Sequence, residues 1–478
     1  MNLRGFVSTA AAAAIGAAFA GQAGASGFAL IEQNGSGVGN AYAGAAAVAE
    51  DASTIFFNPA GMTRLPGRQA VGSLDIVKPE AKFSNNGSTA PSITGLPASG
   101  IPVGGNGGDA GDWAFVPAGY LSWEVMPNQL WLGIGVGAPF GLKTEWDDNW
   151  AGRFHGIKSE VKTFNINPSI AWKVNEMFSV GGGINAMYFD ATLSNSVAYG
   201  LSAAGAAALV SPLLVGPVTT QAGGLSREGV ATVKGDDWGW GWNLGVMINF
   251  TPQTRVGLHY RSTTKFTLGG DVSFSNAPTF VAGGGVPAAL ASQLNANFSG
   301  SGVSAEVKLP DTFSVAFAHS MDRWQFLADY TWTGWDSIQN LSVARTGSSV
   351  CCLTSTPLNF KDSWRVGVGV NYQLNSEWKL RGGIAYDTTP VQDQYRTPRL
   401  PDQDRTWLAA GAQWAMSKQI ALDFGLAYLF VRDASSNLPN QEPASAIPPG
   451  YPNSPKGALV GNYSANVWIL SGQLRWNF

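Results

Sequence analysis

From Asn466 to Phe478 the chain alternates between two kinds of side chain. Trp468, Leu470, Gly472, Leu474, Trp476 and Phe478 share one parity, while Val467, Ile469, Ser471, Gln473, Arg475 and Asn477 share the other. A period of two puts these sets on opposite faces of a strand. The pattern returns where Trp238, Trp240, Trp242, Leu244, Val246, Ile248 and Phe250 oppose Asp237, Gly239, Gly241, Asn243, Gly245 and Asn249. It returns again along residues 363–372 and 420–430. One oily face and one small or polar face suit a wall between lipid and a wet lumen.

Turns divide this text regularly. Tight turns are predicted at Met126-Pro127-Asn128, Val174-Asn175-Glu176, Thr251-Pro252-Gln253, Met321-Asp322-Arg323, Leu374-Asn375-Ser376 and Met416-Ser417-Lys418, each rich in turn formers. Between them lie pairs of strands joined by longer loops rich in Gly, Pro, Ser and Asn. Six tight turns make seven strand–loop–strand units, hence an all-β fold: a transmembrane antiparallel β-barrel of about fourteen strands. A soluble β-sandwich is the competing architecture, but it would not set so much Trp outside a core. Trp123, Trp172, Trp378, Trp414 and Trp476 fall near the turns, and Trp332, Trp407 and Trp468 toward the loops, as two interfacial belts would. Residues 26–66 lack the alternation and are rich in Ala and Gly, which predicts a separate small unit before a barrel over 67–478.

Composition narrows the class. Charged residues make up 13 % of the 478, against 45 % hydrophobic, with 60 Gly and 18 Trp; a soluble globule carries about 25 % charged residues. No apolar run beyond the N-terminus is long enough for a membrane helix. Residues 1–25, with Arg4, an apolar stretch from Ala10 to Ala20 and Ala23-Gly24-Ala25, read as a secretory signal peptide. A formal charge of −3 and no basic cluster give no footing for nucleic acid. Cys351 and Cys352 are adjacent, which leaves open a vicinal disulfide or two loop thiols. His155, His259 and His319 lack ligand spacing, and Gly35-x-Gly37-x-Gly39 lacks the flanking strand of a nucleotide fingerprint. No cofactor, metal or catalytic residue is expected, and the chain reads as a non-enzyme.

Gly27 to Leu65, GFALIEQNGSGVGNAYAGAAAVAEDASTIFFNPAGMTRL, closely resembles the mature N-terminus of FadL-type long-chain fatty-acid transporters. The likeness continues through APFGLKTEWDDNWAGRFHGIKSEV, Ala138 to Val161, and along the strand layout. It implies a bacterial outer-membrane barrel whose lumen is plugged by an N-terminal hatch. It also implies passive uptake of long-chain fatty acids by capture in an apolar loop groove, transfer to a luminal pocket, hatch rearrangement and lateral exit at a kinked third strand. The alternative cargo on the same architecture is an aromatic or other hydrophobic hydrocarbon. The implied partners are that ligand and outer-membrane lipid, with the protein a monomer. Phe28 matches the family's ligand-contacting Phe, and Asn58, Pro59 and Ala60 match its N-P-A motif beside the lateral opening.

The residues supply candidates of their own. Pro139, with Phe140 and Gly141, interrupts the third strand, because Pro cannot donate to a ladder; the break is either a wall opening or simply the end of a strand. Leu209, Leu213 and Leu214 in one loop, and Leu290 and Leu294 in another, are too apolar for loops facing water and predict an acyl-chain groove, or else mutual packing. Pro287 stands at a predicted first helical position. A carboxylate head group calls for a cation, and Arg261, Lys265, Arg365 and Arg381 have lumen parity, as do Asp237, Asp329, Asp387 and Asp423, their possible partners.

Overall fold

The computed structural model describes residues 26–347, 353–441 and 455–478. The predicted signal segment and the Cys351–Cys352 pair lie outside the described residues. Fourteen antiparallel strands close a barrel: β1 (Arg68–Asn85), β2 (Ala114–Met126), β3 (Leu130–Gly137, resuming as Gly141–Glu145), β4 (Lys158–Lys173), β5 (Phe178–Val197), β6 (Gly229–Asn249) and β7 (Thr254–Arg261, resuming as Thr264–Phe274). They continue with β8 (Ser301–Leu309 and Thr312–Met321), β9 (Trp324–Thr333), β10 (Ser363–Gln373), β11 (Trp378–Asp387), β12 (Arg405–Ala415), β13 (Ile420–Val431, followed by Ala434–Leu438) and β14 (Leu459–Asn477). Neighbours in sequence pair, and β1 closes the ring on β14 from Gln69↔Asn477 to Asn85↔Gly461. All six predicted tight turns join strands, at one end of the barrel.

The alternation settles which face meets lipid. Trp238, Trp240, Trp242 and Leu244 are exposed on the outside, as are Trp468, Leu470, Leu474 and Trp476, while Asn243, Ser471 and Gln473 are buried within. Trp407 departs from the expected belt. It shares parity with Arg405 and Ala409, points inward and is fully buried, meeting Tyr42 edge-on. Lys265 also departs from its predicted lumen position. The Ser262–Thr263 break in β7 flips the parity, so Arg261 and Thr264 face in and Lys265 faces out.

Residues 26–65 pack against the inward side of the strands through short helical turns at Gly35–Val38, Ala45–Val48, Thr54–Phe57 and Pro59–Arg64. Missing side chains make room for this backbone. A Cβ on Gly257 of β7 would stand 1.9 Å from the Ala46 carbonyl oxygen, a contact no side chain could hold. Polar contacts then fix the segment. Gly35 donates to Gln473 (3.0 Å), which donates to Asp51 (2.9 Å). Arg255 donates to the carbonyls of Ala47 (2.6 Å) and Val48 (2.8 Å). Glu50 pairs with Lys379 (2.8 Å) and Arg381, and Arg381 with Asp423 (2.6 Å). Burial alone would raise the Glu50 pKa, but Arg381 and then Lys379 hold it well below the usual carboxylate range.

Candidate functional site

The wall changes character at the end of the first half of β3. The β2–β3 ladder runs from Met126↔Leu130 to Gly119↔Val136 and stops. Beyond it Ala114–Ala118 keep their β1 partners, and Gly141–Glu145 keep their β4 partners. Among the described residues these two stretches do not pair with each other, so the sheet has a gap. Pro139 lacks an N–H, and the residues around it turn their polar groups elsewhere. Phe140 donates to Thr163 Oγ1 (3.0 Å), which donates back to the Phe140 carbonyl (2.7 Å). The remaining groups meet the N-terminal segment: Leu30 N–H donates to Pro139 O (2.8 Å), and Gly141 N–H donates to Phe28 O (2.9 Å). The Gln33 side chain donates to Ala138 O (2.8 Å). Residues 28–33 therefore take up hydrogen bonds that β2 leaves open at the gap, with one bridge between Ala29 and Phe140.

Phe28 stands at the junction of two cavities. Its ring centroid is 4.9 Å from that of Trp335 and 6.0 Å from that of Phe140, an aromatic cluster held by edge-to-face and tilted contacts. Gly27 is required beside it: φ is +64°, and a Cβ would meet the Trp335 ring at 2.7 Å. On the long-loop side lies a cavity of about 150 Å³ walled by Phe28, Leu142, Val161, Phe189, Leu268, Phe360 and Leu400. On the other side lies a cavity of about 130 Å³ that reaches Leu30, Phe57, Pro139, Phe140, Arg261 and Arg365.

Beside Lys234, Lys308 and Glu306, the lining of the outer cavity includes Arg399, which the sequence alone did not single out. Arg399 donates to Lys158 O (3.2 Å), Ser159 Oγ (3.1 Å) and Asn195 Oδ1 (3.2 Å), and no carboxylate lies in ion-pair range. Burial draws its pKa down to about 10, so it remains charged at neutral pH. A mostly apolar pocket with Arg399, Lys234 and Lys308 on its lining has the chemistry to hold a molecule with an oily body and an anionic end.

A sequence profile of the family described as "Outer membrane protein transport protein (OMPP1/FadL/TodX)" matches residues 16–478. The chain belongs to the FadL/TodX family. It is 30 % identical over 433 residues to the "Long-chain fatty acid transport protein" of Salmonella typhi, covering 90 % of this chain and 93 % of that one. The crystal structure of a Pseudomonas aeruginosa FadL homologue superposes with a TM-score of 0.78 at 24 % identity, over 95 % of this chain and all of the other (100 %). The Pseudomonas putida toluene transporter TodX gives 0.59 at 16 % identity, over 89 % and 94 %. Both likenesses are of fold. Membership in the FadL/TodX family sets the protein in the bacterial outer membrane and among transporters and channels rather than enzymes.

The other predicted site residues separate in space. Phe28, Pro139, Phe140 and Gly141 come together, and Arg261 and Arg365 line the inner cavity. Arg365 is engaged by Asp329 (3.0 Å) and the Ala41 carbonyl, and Arg381 by Glu50 and Asp423, so neither is a free head-group cation. Asn58 is not at the gap. It bonds Ala46 O (2.7 Å) and Val246 O (3.0 Å), caps the turn of Pro59–Arg64 through Ala60 N–H (3.1 Å), and with Pro59 and Ala60 lies against Gly181 of β5 and Gly245 of β6. The five loop leucines form no common groove. Leu290 and Leu294 are buried (4 % and 1 % exposed) between the helices Tyr199–Val210, Val215–Ala222 and Ala288–Asn297, with Leu214 at the edge, while Leu209 and Leu213 project into solvent (91 % and 87 %). The reason is geometric: the i, i+4 face of Ala288–Asn297 meets the Ala-rich helix, leaving no room between them. Pro287 caps that helix and stands one residue before its start.

Proposed function

We propose that this protein carries long-chain fatty acids passively across the outer membrane. The observation behind this reading is the outer cavity, mostly apolar but edged by the cations Arg399, Lys234 and Lys308, of which Arg399 has no acid in ion-pair range. An acyl chain first meets the exposed Leu209 and Leu213, then enters the cavity with its carboxylate at Arg399. Residues 26–66 act as a hatch. Movement of Phe28 opens the aromatic junction and breaks the hydrogen bond from Gly141 in the same step, and the Leu30–Pro139 bond two residues on goes with it. The gap between β2 and β3 then offers sideways exit into the bilayer. No energy source is needed, since the hydrophobic effect draws the chain from water toward lipid.

Competition binding on the purified protein tests the cargo. A charge-assisted hydrogen bond is worth about 1.5–3 kcal/mol, so Arg399→Gln weakens oleate about tenfold or more and leaves toluene unchanged. Equal effects on both would favour the hydrocarbon reading. That second reading has its own support in the apolar walls and the aromatic cluster of Phe28, Phe140 and Trp335, which would suit a neutral ring.

A further inference from the structure

Most buried arginines of this protein face a carboxylate. Arg153 has Glu228, Arg365 has Asp329, Arg381 has Glu50 and Asp423, Arg396 has Asp393, and Arg405 has Asp402. Among the described residues, Arg255 and Arg261 do not, nor does the partly exposed Arg399 of the outer cavity. Arg255 is spent on the carbonyls of Ala47 and Val48 and touches neither cavity. Arg261 is different. Its guanidinium donates to Asn185 and to Phe56 O (3.0 Å), stacks 4.4 Å over the Phe56 ring, and lines the inner cavity together with Pro139 and Phe140. The acids on that cavity are already engaged, Asp329 by Arg365 and Asp387 by Arg405 (3.9 Å) and the Ser26 N–H (3.0 Å). A buried positive charge with neutral acceptors alone is costly unless an anion joins it.

We infer that Arg261 forms a second carboxylate station, on the far side of the Phe28–Phe140–Trp335 junction from Arg399 and beside the gap in β3. This rests on the fatty-acid reading of the outer cavity and deepens it. Arg399 lines the outer cavity and Arg261 the inner one, each without a carboxylate in ion-pair range, so a carboxylate leaving Arg399 finds a partner again before its chain turns into the gap. Without the second station the head group would cross the lumen with its charge unmatched. A neutral cargo gains nothing from Arg261, so the station favours anionic amphiphiles over alcohols or hydrocarbons in transit, not only in capture.

The test compares import of oleate and of oleyl alcohol by cells making the unaltered protein or Arg261→Gln, with oleate affinity measured on the purified proteins. Loss of one charge-assisted contact predicts about tenfold slower oleate import, with oleyl alcohol import and outer-cavity affinity within about twofold. An equal fall for acid and alcohol would mean that Arg261 only braces Phe56, and would overturn the inference, as would no fall at all. If the unaltered protein neither binds nor imports oleate, the fatty-acid reading itself fails, a separate result. Crystals of the unaltered protein soaked in 2-bromooctanoate give a measurement independent of any variant's folding. Bromine density beside both Arg399 and Arg261 supports two stations, and density at Arg399 alone overturns the second.

Discussion

At Glu32 the chain buries a carboxylate completely, with no hydrogen-bond partner on either oxygen. Burial pushes its pKa from 4.5 up to about 8, and its own amide and Arg405 offset only part of this. The unfolded side chain ionises near 4.5 and the folded one near 8, so the stability linked to this proton is intact below 4.5 and lost as pH rises through 8. The full difference is on the order of 5 kcal/mol. Denaturation in detergent should show the unaltered protein losing stability between pH 5 and pH 9 relative to Glu32→Gln, which has no proton to lose; parallel curves would refute the assignment. Neither Glu32 nor Arg399 was legible beforehand, because both sit in stretches without alternation, where no parity tells inside from outside. Arg261, Arg365 and Arg381 were legible as lumen residues for the opposite reason. What the parity could not reveal was which of them already had an acid across the lumen, a fact of tertiary register.

Among the elements, β3 and the N-terminal segment act as a pair. Replacing Pro139 and Gly141 together by Val restores an N–H and strand propensity at the gap. Ligand import should fall several-fold while the barrel still assembles, read as heat-modifiable migration on gels; undiminished import would count against sideways exit. Gly257→Val tests the other partner, since its side chain collides with the backbone at Ala46. Displacing the segment should raise ion conductance in planar bilayers, and an unchanged current would show that residues 26–66 do not occlude the lumen. Tight turns and the loop helices were readable locally, from Pro, Asn and Asp placement and from Ala-rich runs. The mutual burial of Leu290 against the helix Tyr199–Val210 was not, because i, i+4 spacing marks an apolar face without naming what covers it.

For the molecule as a whole, the cylinder follows from a two-residue period carried through fourteen strands. Its lipid face can be challenged directly. Leu470 is 55 % exposed toward the bilayer, and Leu470→Arg should cost about 2–4 kcal/mol if it lies near the midplane, seen as earlier unfolding in urea from lipid vesicles. Trp407 marks the limit of such reading: an aromatic near a strand end suggested the interface, whereas its parity with Arg405 had already turned it inward. The ring itself closes between its first strand and its last. Gln473, on that last strand, grips Gly35 and Asp51, and Ser471 beside it bonds Asp75 of β1. One strand thus carries two jobs at neighbouring positions, so a weakened seam and a loosened N-terminal segment share a single cause.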